Sequence, residues 1–483
     1  MRRVMLASLV GSAVALVAVA GYAAADALDV APGILTLDRP VAVPTPTLSA
    51  TPAPVVLPEP AATLDPLLTD TGAGAPAPTR AGLARALGTA SGDPALKAGT
   101  GISIRDGVTG DELWGLDAAT PRVPASSQKL MAALAVADGL DLEQRMTTAV
   151  VAVPGSADLV LVVAGDTLLA PGAGDPDAVA GRAGLADLAA QVAASLAPSG
   201  RTTVRLRLDL GYAPGPRYPS TWNPHDVRDG FAQAVVMTGL ATQLPRARHP
   251  SPLRPEREVA TTFVKRLAAK GVRATLLPER TWSKAAPPGA QPLGSVESAT
   301  YAQVLDLALD RSENSLTENL TRQAAFAQAR STTRQGDNAR FIRERLTARG
   351  VPTAGLAISD ACGLSPGQRA SAATLSGVLR LAVTGAVPQL RGVVAGLPVA
   401  GLSGTLTRRF AAPATRDVVG VPRAKTGTLR AGSALAGTTV DADGRPLTFV
   451  LLVDGFPETY GGTLRARAAL DRIVAALTRC GCR

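Results

Sequence analysis

Three short stretches hold residue types that could work together as a catalyst: PASSQK at 124–129, SENS at 312–315 and AKTGT at 424–428. In the first, Ser126 and Lys129 are one helical turn apart, so on a helix they share a face and the amine can reach the hydroxyl. The choice of lysine is itself a signal. The chain writes almost every cation as arginine, and its only lysines are Lys97, Lys129, Lys265, Lys270, Lys284 and Lys425. Arginine keeps its proton at any working pH, whereas a desolvated lysine can give its proton up and act as a base. A serine at a helix start also sits in positive potential, with its own N–H available to a developing oxyanion.

The other two stretches have plain structural readings beside the chemical one. Ser312 or Asn314 could simply cap a helix beginning near Leu316. Lys425, Thr426 and Gly427 could belong to an edge strand near a loop, although glycine weakens a strand and usually marks close approach by a ligand or another backbone. Taken together, the order Ser-x-x-Lys, Ser-x-Asn, Lys-Thr-Gly is that of the active-site serine enzymes that interact with penicillin.

Bulk composition narrows the rest. With 483 residues, 46% of them hydrophobic, the chain exceeds one ordinary domain and can bury a large core. The net charge of +10 comes from dispersed arginines with few aromatics between them. That excludes a nucleic-acid groove and suits an anionic neighbourhood. Only His225 and His249 are present, both beside prolines and read as loop histidines. Neither metal catalysis of the His-Glu type nor a Ser-His-Asp triad has residues to stand on, and no cofactor or metal is expected. Cys362, Cys480 and Cys482 give no disulfide framework, and their pairing is open.

The elements that must position the three stretches can be read from periodicity. Residues 1–25 have Arg2 and Arg3 before an apolar run ending in small residues, the pattern of a signal peptide or a membrane anchor facing an extracytoplasmic protein. Residues 26–79 are a Pro/Ala/Thr-rich linker. Folded sequence begins near Arg80 with a hairpin over 101–116 and a helix over 124–140. Residues 146–292 alternate strand and helix patterns (strands at 159–166 and 203–211, helices at 184–197 and 256–272) and form a smaller inserted α/β domain. Helices then cover 299–325, 338–350 and 370–383, and a strand-rich run over 423–455 precedes a final amphipathic helix over 464–479.

With these motifs in this order, the chain resembles the class C low-molecular-mass penicillin-binding proteins, the D-alanyl-D-alanine carboxypeptidase/endopeptidases of the bacterial cell envelope. VPASSQKLMAA, SENSLTENL and LPVAGLSGTL followed by RAKTGTL carry the likeness, which spans about Arg80 to Gly462. It implies an α/β (α+β) fold in which an antiparallel sheet covered by helices, residues 80–145 and 293–483, forms the transpeptidase-like catalytic domain. The long separation of Lys129 from Ser312 matches the family's insertion, but is short for the two nested domains of larger members. Where the family has Asp-Gly-Ser-Gly-Leu, a polar residue and Arg, this chain has DACGLSPG from Asp360, with Cys362 for serine and Pro366 at the Arg position. That departure bears on which third residue of the stem peptide is preferred.

The resemblance also implies roles. Ser126 attacks the carbonyl of the terminal D-Ala-D-Ala bond of a peptidoglycan peptide, and β-lactams acylate the same serine. Lys129 takes its proton, helped by burial and by nearby Lys425. Ser312 relays the proton to the leaving amine, Asn314 places Lys129 and the substrate amide, and Lys425 and Thr426 hold the terminal carboxylate. Gly427 lies in the same strand, and the N–H groups of Ser126 and Thr428 form the oxyanion hole. The rival readings are a β-lactamase or esterase on the same fold, and a non-catalytic wall-binding protein.

Overall fold

Every strand of the larger sheet is buried on at least one face by a helix, and the sequence pattern shows why. The computed structural model describes residues 74–430 and 432–481, all within the compact unit Asp65–Arg483. The signal or anchor expected at 1–25 and nearly all of the 26–79 linker lie outside the described residues. Among the described residues no single helix is long and apolar enough to cross a membrane.

The larger sheet has the order β2-β1-β10-β9-β8, antiparallel throughout. Its strands are β1 (Thr100–Asp106), β2 (Glu112–Leu116), β8 (Arg423–Leu429), β9 (Gly432–Val440) and β10 (Pro446–Asp454). In β10, Leu447, Phe449, Leu451 and Val453 face one apolar cluster while Val450 and Leu452 face another. A central strand covered on both faces must read as an almost unbroken apolar run, as PLTFVLLVD does. One face is covered by α1 (Arg80–Ser91) and α11 (Tyr460–Thr478). The other is covered by α2 (Lys129–Gly139), α6 (Tyr301–Asp310), α7 (Asn314–Ala327), α8 (Asp337–Ala348), α9 (Ala372–Val383) and α10 (Pro388–Ala395). Every residue of α2 except Asp138 is buried, which makes it the central helix of that layer.

A second sheet, β6-β5-β4-β3-β7, comprises β3 (Arg145–Ala152), β4 (Asp158–Val162), β5 (Thr203–Asp209), β6 (Arg273–Leu276) and β7 (Gln291–Thr300). β4, β5 and β6 run parallel, and β3 is antiparallel to β4 and β7. The helices α3 (Leu185–Leu196) and α5 (Pro255–Ala268) pack on it around Leu161, Leu206 and Phe263. β7 runs on to Thr300, where a capping box starts α6, so the return strand leads straight into the helix before the second motif. Between β5 and α5 the chain makes a long excursion holding only one short helix, α4 (Pro224–Arg228). His225 therefore lies in a helical turn and not in a loop, because Asn223 caps it and Pro224 occupies its first position.

Candidate active site

Ser126 sits where a tight 3-10 turn, Ala125–Gln128, runs into α2. The expected helix over 124–140 thus begins as a turn. Its first N–H groups have no acceptor inside it, so the Ser126 N–H is free to point at a ligand. Ala125, directly before the serine, has φ 46°, and Ser312 has φ 55°. Both are non-glycine residues in the left-handed region, a strained conformation that persists only where surrounding structure enforces it. Gly363 is part of that enforcement, since a Cβ there would lie 2.0 Å from the Ala125 carbonyl oxygen.

Lys129 is wholly buried. Its Nζ donates to Ser126 Oγ at 2.9 Å, to Asn314 Oδ1 at 2.6 Å and to the Cys362 carbonyl at 2.8 Å. Three segments far apart in sequence therefore meet on one amine. The helix cap reading of Ser312 and Asn314 does not hold. Glu313 caps α7, its carboxylate accepting from the Leu316 N–H, and Asn314 is the first helical residue. Ser312 and Asn314 are released from capping and turned toward the cleft, where both are found in the lining with Ser126. Asn314 Nδ2 donates to the Phe231 carbonyl at 2.7 Å, which ties the site to the excursion after β5.

The third motif lies on β8, the edge strand of the larger sheet, so the edge-strand expectation is right about topology. Although β8 is an edge strand, Lys425, Thr426 and Gly427 are buried beneath the turn that carries Ser126. The Ala424 N–H donates outward to the Pro398 carbonyl. By strand alternation the N–H groups of Thr426 and Thr428 also face away from β9, toward the open edge. Thr428 and Ser126 line the same cavity. Lys425 Nζ donates to the Thr426 carbonyl at 3.1 Å.

Burial sets the electrostatics. It lowers Lys129 below the ordinary lysine range, opposed by the carboxylates of Asp360, Glu313 and Glu318. Lys425 is pushed well below its ordinary value, by burial first and then by the charge of Lys129. Repulsion between two buried cations is mutual, so Lys425 and Lys129 each disfavour the other's proton, while the acidic neighbours of Lys129 oppose the effect of burial there.

Several supporting residues carry no sequence signal of their own. Asp360 accepts from the Trp222 indole at 2.9 Å, from Gln128 Nε2 at 3.2 Å and from the Gly363 N–H at 2.8 Å, locking DACG beneath the first motif. Glu318, raised to about 7 by burial and by Asp360, accepts from the N–H groups of Ala361 and Cys362. Glu318, Asp360 and Cys362 lie close enough to suggest a metal site. Donors already surround both carboxylates, Asn338 Nδ2 taking the remaining Glu318 oxygen, so the group is a hydrogen-bonded brace. Cys362 is a free buried thiol, so it pairs with neither C-terminal cysteine. Its backbone carbonyl accepts from Lys129, while its thiol hydrogen-bonds Glu318.

In front of Ser126 opens a cleft of about 1450 Å³, walled on one side by His225, Asp226 and Phe231 from the excursion and on the other by Pro366, Arg369 and Arg430. Of these six, only Pro366 was tied to substrate preference from the sequence. A hydroxyl activated by a desolvated amine, with two outward N–H groups nearby and a peptide-sized cleft, suits acyl transfer.

Comparison with known proteins agrees. Residues 83–243 and 244–477 match the D-Ala-D-Ala carboxypeptidase 3 (S13) family model. The chain is 34% identical over 426 residues to carboxypeptidase DacB of Mycolicibacterium smegmatis, covering 87% of this chain and 89% of that one. It is 33% identical over 412 residues to carboxypeptidase Rv3627c of Mycobacterium tuberculosis, covering 84% and 85%. In fold it is similar to penicillin binding protein 4 (dacB) of Haemophilus influenzae, with a TM-score of 0.62, 16% identity and coverage of 81% and 99%.

Proposed function

Because the chain belongs to the D-Ala-D-Ala carboxypeptidase 3 (S13) family, we propose that it is a serine-type D-alanyl-D-alanine carboxypeptidase acting on peptidoglycan stem peptides outside the cytoplasm. The observation that carries the reading is the contact of Lys129 Nζ with Ser126 Oγ at 2.9 Å while Asn314 Oδ1 holds the same amine. Lys129, as a neutral amine, takes the Ser126 proton as Oγ bonds to the scissile carbonyl carbon. The Ser126 and Thr428 N–H groups receive the oxyanion, each donor contributing roughly 3 kcal/mol in comparable enzymes. The carbon–nitrogen bond breaks as Ser312 passes a proton to the departing D-alanine amine, and water then releases the acyl group. Lys425, Thr426 and Gly427 form the floor under the terminal residue. The same steps on a D-Ala bond within a cross-link would make it an endopeptidase.

In this reading residues 80–145 and 293–483 are the catalytic domain and 146–292 its inserted α/β domain. The separate sheet and separate apolar cluster support an inserted unit, but β7 carries that sheet past residue 292 to Thr300, so the return boundary falls later than the sequence suggests. Intact mass after incubation with benzylpenicillin tests the whole scheme. One penicilloyl adduct on the wild type, absent from Ser126→Ala, is expected; an adduct retained by Ser126→Ala removes Ser126 from the mechanism. Rapid hydrolysis of the drug without a lasting adduct would point to a β-lactamase instead.

A further inference from the structure

Behind Thr426 and Thr428, a cavity of about 300 Å³ joins Ser126 and Ser312 to two arginines, Arg409 and Arg467. Arg409 is only 4% exposed. Its Nε and Nη2 form a bidentate pair with Asp471, with contacts of 2.6 to 3.1 Å, and Nη2 also donates to the Arg467 carbonyl. Its Nη1 is buried and has no partner. Arg467, half-buried on α11, likewise keeps a buried Nε without a partner. Among the described residues Asp471 is thus engaged by Arg409 alone, and two guanidinium donors are left over. A buried donor left without a partner is costly, more so when charged, so such a group calls for an explanation. Burial, then the charge of Arg409, pushes the Arg467 guanidinium below its ordinary range. The cavity lining carries two guanidinium groups and no carboxylate, so an anion there would offset their charge. The neighbouring hydroxyls point the same way, since Thr426 Oγ1 donates to Thr405 Oγ1 at 2.8 Å and both line the cavity.

We propose that Arg409 and Arg467 form an anion subsite that takes the α-carboxylate of the departing D-alanine residue, beyond the Lys425 and Thr426 floor. The inference rests on the carboxypeptidase reading of Ser126 and extends it to the residues that select a free C-terminus. A planar guanidinium presents paired donors to a carboxylate, a geometry that a lysine amine does not reproduce.

The test compares hydrolysis of a matched pair of acyl-D-Ala-D-Ala peptides, one with a free terminal carboxylate and one amidated. The wild type should prefer the acid. In Arg467→Gln the acid-to-amide ratio of kcat/KM should fall by about tenfold or more, the loss expected for a hydrogen bond to a charged group. Arg409→Gln should do the same. If that variant instead loses both activities and its thermal transition, because Asp471 is left unpaired, Arg467→Gln decides alone. A folded Arg467→Gln enzyme whose ratio stays within about twofold of wild type overturns the subsite. A wild type that cleaves neither peptide sinks the carboxypeptidase reading itself and this inference with it.

Discussion

Replacing Gly427 by alanine tests how tightly β8 must approach the turn that carries Ser126. A Cβ at this position would lie 2.6 Å from the Pro124 carbonyl oxygen, 3.0 Å from the Ala434 Cβ and 3.1 Å from the Ala125 Cβ. None of these is the end of a flexible side chain, so the strain cannot be absorbed by a rotamer change. Ordinary contact begins near 3.4 Å, so strand and turn must part by about 0.8 Å, close to the displacement that costs on the order of a hundredfold in rate. The added methyl group overpacks the site at about 1–3 kcal/mol, which leaves a large domain folded. Acylation of Gly427→Ala by benzylpenicillin, followed by intact mass over time, should therefore slow about 100-fold while thermal unfolding remains cooperative. Gly88→Ala is the control. It lies inside α1 with nothing within 4 Å, so it should stabilise by up to about 1 kcal/mol and leave the rate alone. A folded Gly427→Ala that acylates within about threefold of wild type would refute the close-approach argument.

Two further outcomes concern protons. Because burial lowers Lys129 from its ordinary value of 10.5 and the proposed mechanism uses the neutral amine as base, acylation should speed up as pH rises toward that lowered pKa. Lys129→Arg should abolish the reaction; a rate that falls steadily between about pH 6 and 9 would exclude Lys129 as base. Asp166 is 1% exposed and raised by burial from 3.8 to about 7, the Leu168 N–H offsetting part of the effect. Its folded pKa lies above its unfolded one, so folding is most stable below about pH 4 and loses up to about 4 kcal/mol as pH rises to about 7. Asp166→Asn should then raise the Tm relative to wild type at pH 8 and change it little at pH 4. An equal difference at both pH values would show that Asp166 does not titrate in this way.

Much of this architecture was legible in the sequence where one face of an element carries the information. The β1–β2 hairpin, α3, α5 and the three C-terminal strands follow their apolar periods. β7 was not legible, because QPLGSVESAT fully buries only Ser298 and Ala299 and shows no regular alternation. The excursion after β5 has no period either, since it is held by irregularly spaced anchors such as the Trp222 indole on Asp360 and by backbone carbonyls, Phe231 O to Asn314 and Val235 O to Arg322. The three motifs were readable because their chemistry needs particular side chains at particular offsets. Asp360 and Glu318 went unread because their work is to receive N–H groups from their surroundings, which leaves no spacing rule. The conformation of Ser312 was unreadable for a related reason: a serine at φ 55° is imposed by its neighbours.

The pairing order of the larger sheet has a consequence for synthesis. β8 reaches β1 only through β9 and β10, and β10 pairs Val453 with Thr100 across nearly the whole chain. A nascent polypeptide that has emerged as far as residue 430 already contains Ser126, Lys129, Ser312, Asn314 and Lys425 yet lacks the two strands that bridge Lys425 to the N-terminal hairpin. Assembly of the cleft therefore waits on β9 and β10, the last strands to be made.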